Sequence, residues 1–170
     1  GYWKNPAATA ASINDGWLHT GDLGFLDDDG FLTINGRKKD LLVLSNGKKV
    51  VPTHVEGILL GDPCIDQAVV CGEGRNYLVA LVVPNLGNLA RAMSLGGEPD
   101  PRDAAVRTFL EARVARLLEH EAAWEQVRKI VVLAEPFSVA RDEMTVSLKL
   151  RRNVIVDHHR DQLDTVYREG

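Results

Sequence analysis

The sequence predicts an α+β domain, and three observations carry that reading. Residues 77–83 are almost wholly apolar, as a buried central strand should be. Residues 102–121 repeat apolar side chains at helical spacing. Two turn-centred hairpin signals precede both, and strands and helices then follow one another without regular βαβ alternation.

Taken in order, residues 1–20 show neither a helical stripe nor strand alternation and read as a surface segment. Gly24-Phe25-Leu26 and Phe31-Leu32-Thr33-Ile34 flank the turn Asp27-Asp28-Asp29-Gly30, which predicts a hairpin. Gly36-Arg37-Lys38-Lys39-Asp40 breaks that pattern. A second small hairpin is expected from residues 41–44 and 49–51 about Asn46-Gly47, a favoured tight-turn pair. Pro52 and Thr53 open a short helix bearing Val55, Ile58 and Leu59, with Thr53 as N-cap. Strands follow over 68–71 and 77–83, around the turn 72–76. The helix over 102–121 has Asp100 as N-cap and Pro101 in its first turn. Its stripe of Val106, Phe109, Leu110, Val114, Leu117 and Leu118 reads as core. One more strand spans 130–133, and a last helix begins near Arg151 with Ile155, Leu163 and Val166 on one face.

Composition narrows the function classes. An apolar fraction of 45% and a charged fraction of 26% suit a globular chain that buries a real core. Twenty Lys and Arg against 24 Asp and Glu leave a net charge of −4, without the basic footprint of a nucleic-acid binder. No apolar run approaches the roughly 20 residues of a membrane span, and the N-terminus does not resemble a signal peptide. Cys64 and Cys71 lack metal-binding spacing and read as two core thiols of a cytoplasmic protein. The acidic turn 27–30 does not fit a calcium loop, because counting back from Gly30 puts Phe25 at the first ligand position. His158-His159 read as a solvated pair, since neighbours on a helix point apart.

Three clusters carry chemistry. Asp22, just after Gly21 at a strand entry, can accept both vicinal hydroxyls of a ribose through its two oxygens, although taken alone it also reads as a solvated turn aspartate. Gly36-Arg37-Lys38-Lys39-Asp40 can clamp a phosphate or ribose, or can be a solvated basic knuckle. Thr145-Val146-Ser147-Leu148-Lys149-Leu150-Arg151-Arg152 ends in a lysine able to meet developing negative charge on a phosphoryl or acyl group. Arg151 and Arg152 open a helix against its macrodipole, so helix stability does not account for them. If they serve the surface, they tolerate substitution better than Lys149.

In this order the clusters resemble the adenylate-forming superfamily of acyl-CoA synthetases, luciferases and peptide-synthetase adenylation domains. Gly1-Tyr2-Trp3-Lys4-Asn5-Pro6, residues 17–24, Gly30-Phe31-Leu32 and Gly36-Arg37-Lys38-Lys39-Asp40 all match its pattern. The stretch Asn46-Gly47-Lys48-Lys49-Val50-Val51-Pro52 and the Leu-Lys-Leu-Arg-Arg of residues 148–152 are similar to the long-chain fatty acyl-CoA synthetase branch. Most of the superfamily has glycine where this chain has Leu148.

The resemblance implies a fold and a division of labour. Residues 1–36 would be the tail of a large adenylation domain, ending in a hairpin. Residues 37–40 would be the hinge, with Lys39 and Asp40 at its pivot. Residues 41–170 would be a small mobile C-terminal lid with a short mixed sheet and flanking helices. Asp22 would hold the ribose of ATP with Arg37 beside it, Gly47 would approach CoA, Lys49 would contact nucleotide, and Lys149 would support adenylate formation. The implied activity is an AMP-forming fatty acid–CoA ligase using ATP, CoA and Mg²⁺, with no metal ligand identified in this sequence. The superfamily's phosphate loop and adenine motif are absent from these residues, so the chain reads as a fragment, inactive alone and needing a large N-terminal domain. Further expectations are peripheral membrane association of the full enzyme and self-association of the fragment through residues 1–20. The alternatives are an acyl-AMP ligase that loads a carrier protein, and a non-catalytic nucleotide-binding module.

Overall fold

The computed structural model describes residues 1–168, which form two compact units, Gly1–Leu41 and a second that begins at Leu42. The first unit contains no buried residue. Helix α1 (Pro6–Ser12) starts where Asn5 Oδ1 accepts the Ala8 N–H at 3.0 Å and Pro6 supplies a pre-set first turn. The sequence predicts no helix there. The segment buries nothing, so it carries no apolar stripe to betray it. Strands β1 (Ile13–Asn14) and β2 (Trp17–Leu18) then pair across Asp15-Gly16, both at positive φ as a tight hairpin turn demands.

The predicted hairpin follows as β3 (Asp22–Leu26) and β4 (Leu32–Arg37), antiparallel, with a bulge at Leu23/Gly24. A Cβ at Gly24 would lie 2.5 Å from the Thr33 carbonyl oxygen, so only glycine fits the bulge. Asp27 Oδ1 closes the turn by accepting the N–H groups of Asp29 and Phe31. Lys38–Asp40 form a single 3₁₀ turn.

The second unit opens with the hairpin β5 (Leu42–Val43) and β6 (Lys49–Val50), followed by helix α2 (Pro52–Leu60). Val51, not Thr53, occupies the N-cap position of α2, because Pro52 already takes a helical first-turn place. Strands β7 (Ile65–Cys71), β8 (Leu78–Pro84) and β9 (Val127–Val132) make a mixed sheet in that order, β7/β8 antiparallel and β8/β9 parallel. Helix α3 (Leu86–Ala92), unread in the sequence, is capped by the Asn85 side chain. Helix α4 (Ala104–Leu117) starts later than expected, with Asp103 at the N-cap, while Asp100 turns the chain ahead of it by accepting the Arg102 N–H. The last predicted helix divides at His159 into α5 (Arg152–His158) and α6 (Arg160–Arg168).

Strand β8 explains why an all-apolar run was needed. Its residues alternate between two cores, and all are buried. Leu78, Ala80 and Val82 pack with Val55 and Leu59 of α2 and Val106, Leu110 and Val114 of α4. Val79, Leu81 and Val83 face the other way, toward Ile155 of α5 and Leu163 of α6. Cys64 and Cys71 are buried free thiols, and burial pushes the Cys71 thiol up to about 12. Among the described residues no helix is long and apolar enough to cross a membrane.

Candidate functional site

In the first unit, the β3–β4 register sets Asp22 directly opposite Arg37, and Arg37 Nε reaches Asp22 Oδ1 at 3.0 Å. The ladder is tied off just beyond them. Thr20 Oγ1 accepts the Asp22 N–H at 3.1 Å, and the Gly21 carbonyl accepts the Lys38 N–H at 2.8 Å. Gly21 stands at φ +75, the conformation a side chain would resist. Asp22 and Arg37, which the resemblance sets side by side at the ribose, form one ion pair. Arg37 keeps one carboxylate oxygen engaged, and the second can accept from a ligand. Lys39 and Asp40 lie in the 3₁₀ turn and are exposed.

In the second unit, Gly47 sits at φ +79 in the β5–β6 turn, with open space where a Cβ would be. Asn46 Oδ1 accepts the Lys48 N–H at 3.0 Å, and the Leu44 carbonyl accepts the Gly47 N–H at 2.9 Å. The turn is bolted to the 72–76 loop. Ser45 N–H donates to the Arg75 carbonyl at 2.9 Å, and Glu73 accepts the Val43 N–H at 2.7 Å. Lys49 is exposed on β6, across from Val43. Beside this turn lies a cavity of about 560 Å³ whose lining includes Asn46, Lys48, Tyr77, Trp124, Arg128 and Lys129. The Lys48 ammonium stands 4.3 Å from the centre of the Trp124 ring. Three cations and two aromatic rings from separate stretches meet here, so no linear motif announces them.

Lys149 ends a closed loop. Met144 and Leu150 form a bridge, Thr145 N–H donates to the Lys149 carbonyl at 2.8 Å, and Thr145 Oγ1 accepts the Lys149 N–H at 3.0 Å. Leu148 takes φ +60, the left-handed region that glycine enters freely and other residues enter at a cost of about 1–2 kcal/mol. Its side chain and that of Val146 are exposed beside the lysine.

Two buried carboxylates flank this loop. Glu56 on α2 accepts the Val70 N–H at 2.7 Å and binds Arg152, which also donates to the Val70 carbonyl at 2.7 Å. Arg152 thus ties α5 to α2 and β7 and does not serve the surface. Arg151 pairs with Asp142. Glu143 has a side chain only 1% exposed. Burial alone would raise its pKa, but hydrogen bonds from His158, Arg141 and the Ser138 N–H, with the Arg141 charge, hold it below the usual carboxylate value. His158 and His159 do not point apart into solvent. His158 Nδ1 lies 3.2 Å and His159 Nε2 3.9 Å from Glu143 Oε1. Among the described residues no group of three or more His, Cys, Asp or Glu side chains could hold a metal ion.

Residues 39–170 match the family described as AMP-binding enzyme C-terminal domain. The chain is 33% identical to a long-chain-fatty-acid–CoA ligase of Mycobacterium tuberculosis, FadD15, over 98% of its own length and 29% of the relative's. It is 29% identical to the chloroplastic long-chain-fatty-acid–[acyl-carrier-protein] ligase AEE15 of Arabidopsis thaliana, over 98% of its length and 24% of that protein. Its fold matches the A domain of a carboxylic acid reductase from Segniliparus rugosus, solved with AMP and a carboxylic acid. The TM-score is 0.80 at 24% identity, covering 99% of this chain and 26% of that one. The chain thus spans less than a third of the length of each of these proteins.

Proposed function

Because the chain belongs to the family of AMP-binding enzyme C-terminal domains, we propose that it is the C-terminal part of an ATP-dependent long-chain fatty acid–CoA ligase. The observation that carries this reading is the Lys149 loop. Leu148 adopts a positive φ of +60, the region that glycine enters freely, at the position where the wider superfamily has glycine, which supports reading Lys149 as the superfamily's lysine.

In the first half-reaction a carboxylate oxygen of the fatty acid attacks the α-phosphorus of ATP and pyrophosphate leaves. The Lys149 ammonium offsets the charge that grows on the carboxylate and α-phosphate oxygens. Asp22, braced by Arg37, accepts the ribose hydroxyls and so fixes the α-phosphate along the line of attack. In the second half-reaction the thiolate of CoA attacks the acyl carbon and AMP leaves. The turn at Gly47, which has no side chain to obstruct an incoming chain, admits the thiol arm, with Lys49 as a nucleotide contact. The cavity beside it, with Lys48, Arg128 and Lys129 near Trp124, suits the phosphates and base of a nucleotide-bearing acceptor.

On this reading residues 1–36 belong to the large domain, residues 37–40 with Lys39 and Asp40 form the hinge, and the chain from residue 41 is the lid. The exposed Trp3, Trp17 and Phe31 are then the natural contact face for the remainder of the large domain. The test uses the full-length enzyme. Long-chain fatty acid should release pyrophosphate from ATP, and CoA should then yield acyl-CoA. Transfer to acyl-carrier protein with none to CoA would move the assignment to the carrier-loading ligases. ATP binding without pyrophosphate release would make the protein a non-catalytic nucleotide binder.

A further inference from the structure

The Lys149 loop rises from residues 138–151, a stretch whose only strand pairing among the described residues is the Met144–Leu150 bridge. A segment without a ladder keeps one shape only if its polar groups are pinned elsewhere. Here Glu143 is the buried residue on which most of those bonds meet, beside the Arg151–Asp142 pair and the Gln67 side chain, which reaches Met144. Glu143 Oε2 accepts the Ser138 N–H at 3.1 Å and Arg141 Nε at 2.9 Å, while Oε1 faces His158 Nδ1 at 3.2 Å. Its backbone N–H donates to the Ser138 carbonyl at 3.1 Å, and its carbonyl accepts the Arg151 N–H at 2.8 Å. Both ends of the excursion, Ser138 and Arg151, therefore close on Glu143. The next residue begins the bridge that carries Lys149.

Burying a carboxylate is expensive, and an apolar residue of similar volume is often as stable in such a place. What a carboxylate offers here is reach to three donors on different parts of the chain. Through His158 on α5, it relates the lysine loop to the packed body of the unit, while the Ser138 amide closes the loop on itself. We propose that Glu143 is a positioning residue for Lys149, fixing the direction in which the loop presents the ammonium during adenylation. It touches no reacting atom. This rests on the reading of Lys149 given under Proposed function.

The experiment measures both half-reactions of the full-length enzyme for Glu143→Gln, which keeps the shape and removes the charge. Misplacing a catalytic group by about 1 Å can cost roughly 10²-fold. Adenylation kcat should fall by about that factor while the KM values for ATP and fatty acid hold steady. Thioester formation from supplied acyl-AMP should be unchanged. Asp62→Asn is the comparison, because Asp62 is also a buried carboxylate, paired with Arg113 at 2.7 Å, and is not bonded to the loop. It should lower both half-reactions in step with any loss of folded enzyme. The same parallel loss in Glu143→Gln, or no loss at all, overturns the proposal. If Glu143→Gln does not fold, Arg141→Met takes its place with the same expectations, since it removes a donor from Glu143 Oε2 and is partly exposed. Lys149→Ala, run alongside, separates the two ideas. Undiminished adenylation there overturns the role of the lysine, and with it this proposal. Crippled adenylation there beside an unaffected Glu143→Gln overturns this proposal alone.

Discussion

One ion pair from each unit shows two ways of holding a charge. In the first, no residue is buried, and the pair Arg37–Asp22 lies in solvent with side chains 56% and 28% exposed. In the second, Arg152–Glu56 is sunk against β7, at 21% and 8%, with backbone groups completing its bonds. An exposed pair contributes little to folding and stays free to exchange partners. A buried pair cannot let go without leaving a charge stranded. The contrast is one of burial, and the Arg152–Glu56 pair is the one that frames the chain entering α5.

The largest effect that would test this contrast is on the frame. Arg152→Ala should strand Glu56 and cost about 3–5 kcal/mol of stability, seen as a lower midpoint in urea unfolding. A cost near that of a surface pair would show that Glu56 finds water. On the ligand side, Lys149→Ala should lower acyl-AMP formation by roughly 10²–10³, about 3–4 kcal/mol, with far less effect on thioester formation from supplied acyl-AMP. Pyrophosphate release and single-turnover transfer measure the two. Arg37→Ala should cost at most about 1 kcal/mol of stability while raising the KM for ATP. A stability loss approaching that of Arg152→Ala would erase the distinction between the units. The smallest effect is expected from Leu148→Gly. It relieves about 1–2 kcal/mol of left-handed strain but restores roughly 0.5–1 kcal/mol of unfolded-chain freedom. The stability should rise by no more than about 1.5 kcal/mol, and a marked fall would mean that the Leu148 side chain packs more than its exposure suggests.

Much of this architecture was legible because it rests on burial. Strand β8 had to be apolar on both faces, and the stripe of α4 named its core residues directly. Helix α1 was illegible for the converse reason, since it buries nothing and leaves no periodicity. Caps mislead where proline decides the start: residue type favours Thr53, yet Pro52 draws the helix two positions earlier. At the site, Asp22 and Arg37 could be found separately, but their pairing depends on a register shifted by the bulge at Gly24. The cavity beside Gly47 draws Lys48, Trp124 and Arg128 from distant stretches and left no signal. Arg152 and His159 did leave one. They lie three and four residues from Ile155, on the face that α5 buries, so helical spacing places them inward. Reading the histidine pair as solvated gives charge type more weight than position.

The sheet order has a consequence for how the chain acquires its shape. Strands β7 and β8 are joined by a tight local connection, so they can pair early and cheaply. The parallel partner of β8 starts at Val127, beyond α3 and α4 in the chain. Until β9 arrives, one edge of β8 offers unpaired backbone and apolar side chains on both faces. That interval is when the protein is most open to pairing with a second copy of itself. Docking of β9 is therefore expected to be the slow step of folding, and substitutions that delay it should lower soluble yield out of proportion to their effect on the finished fold.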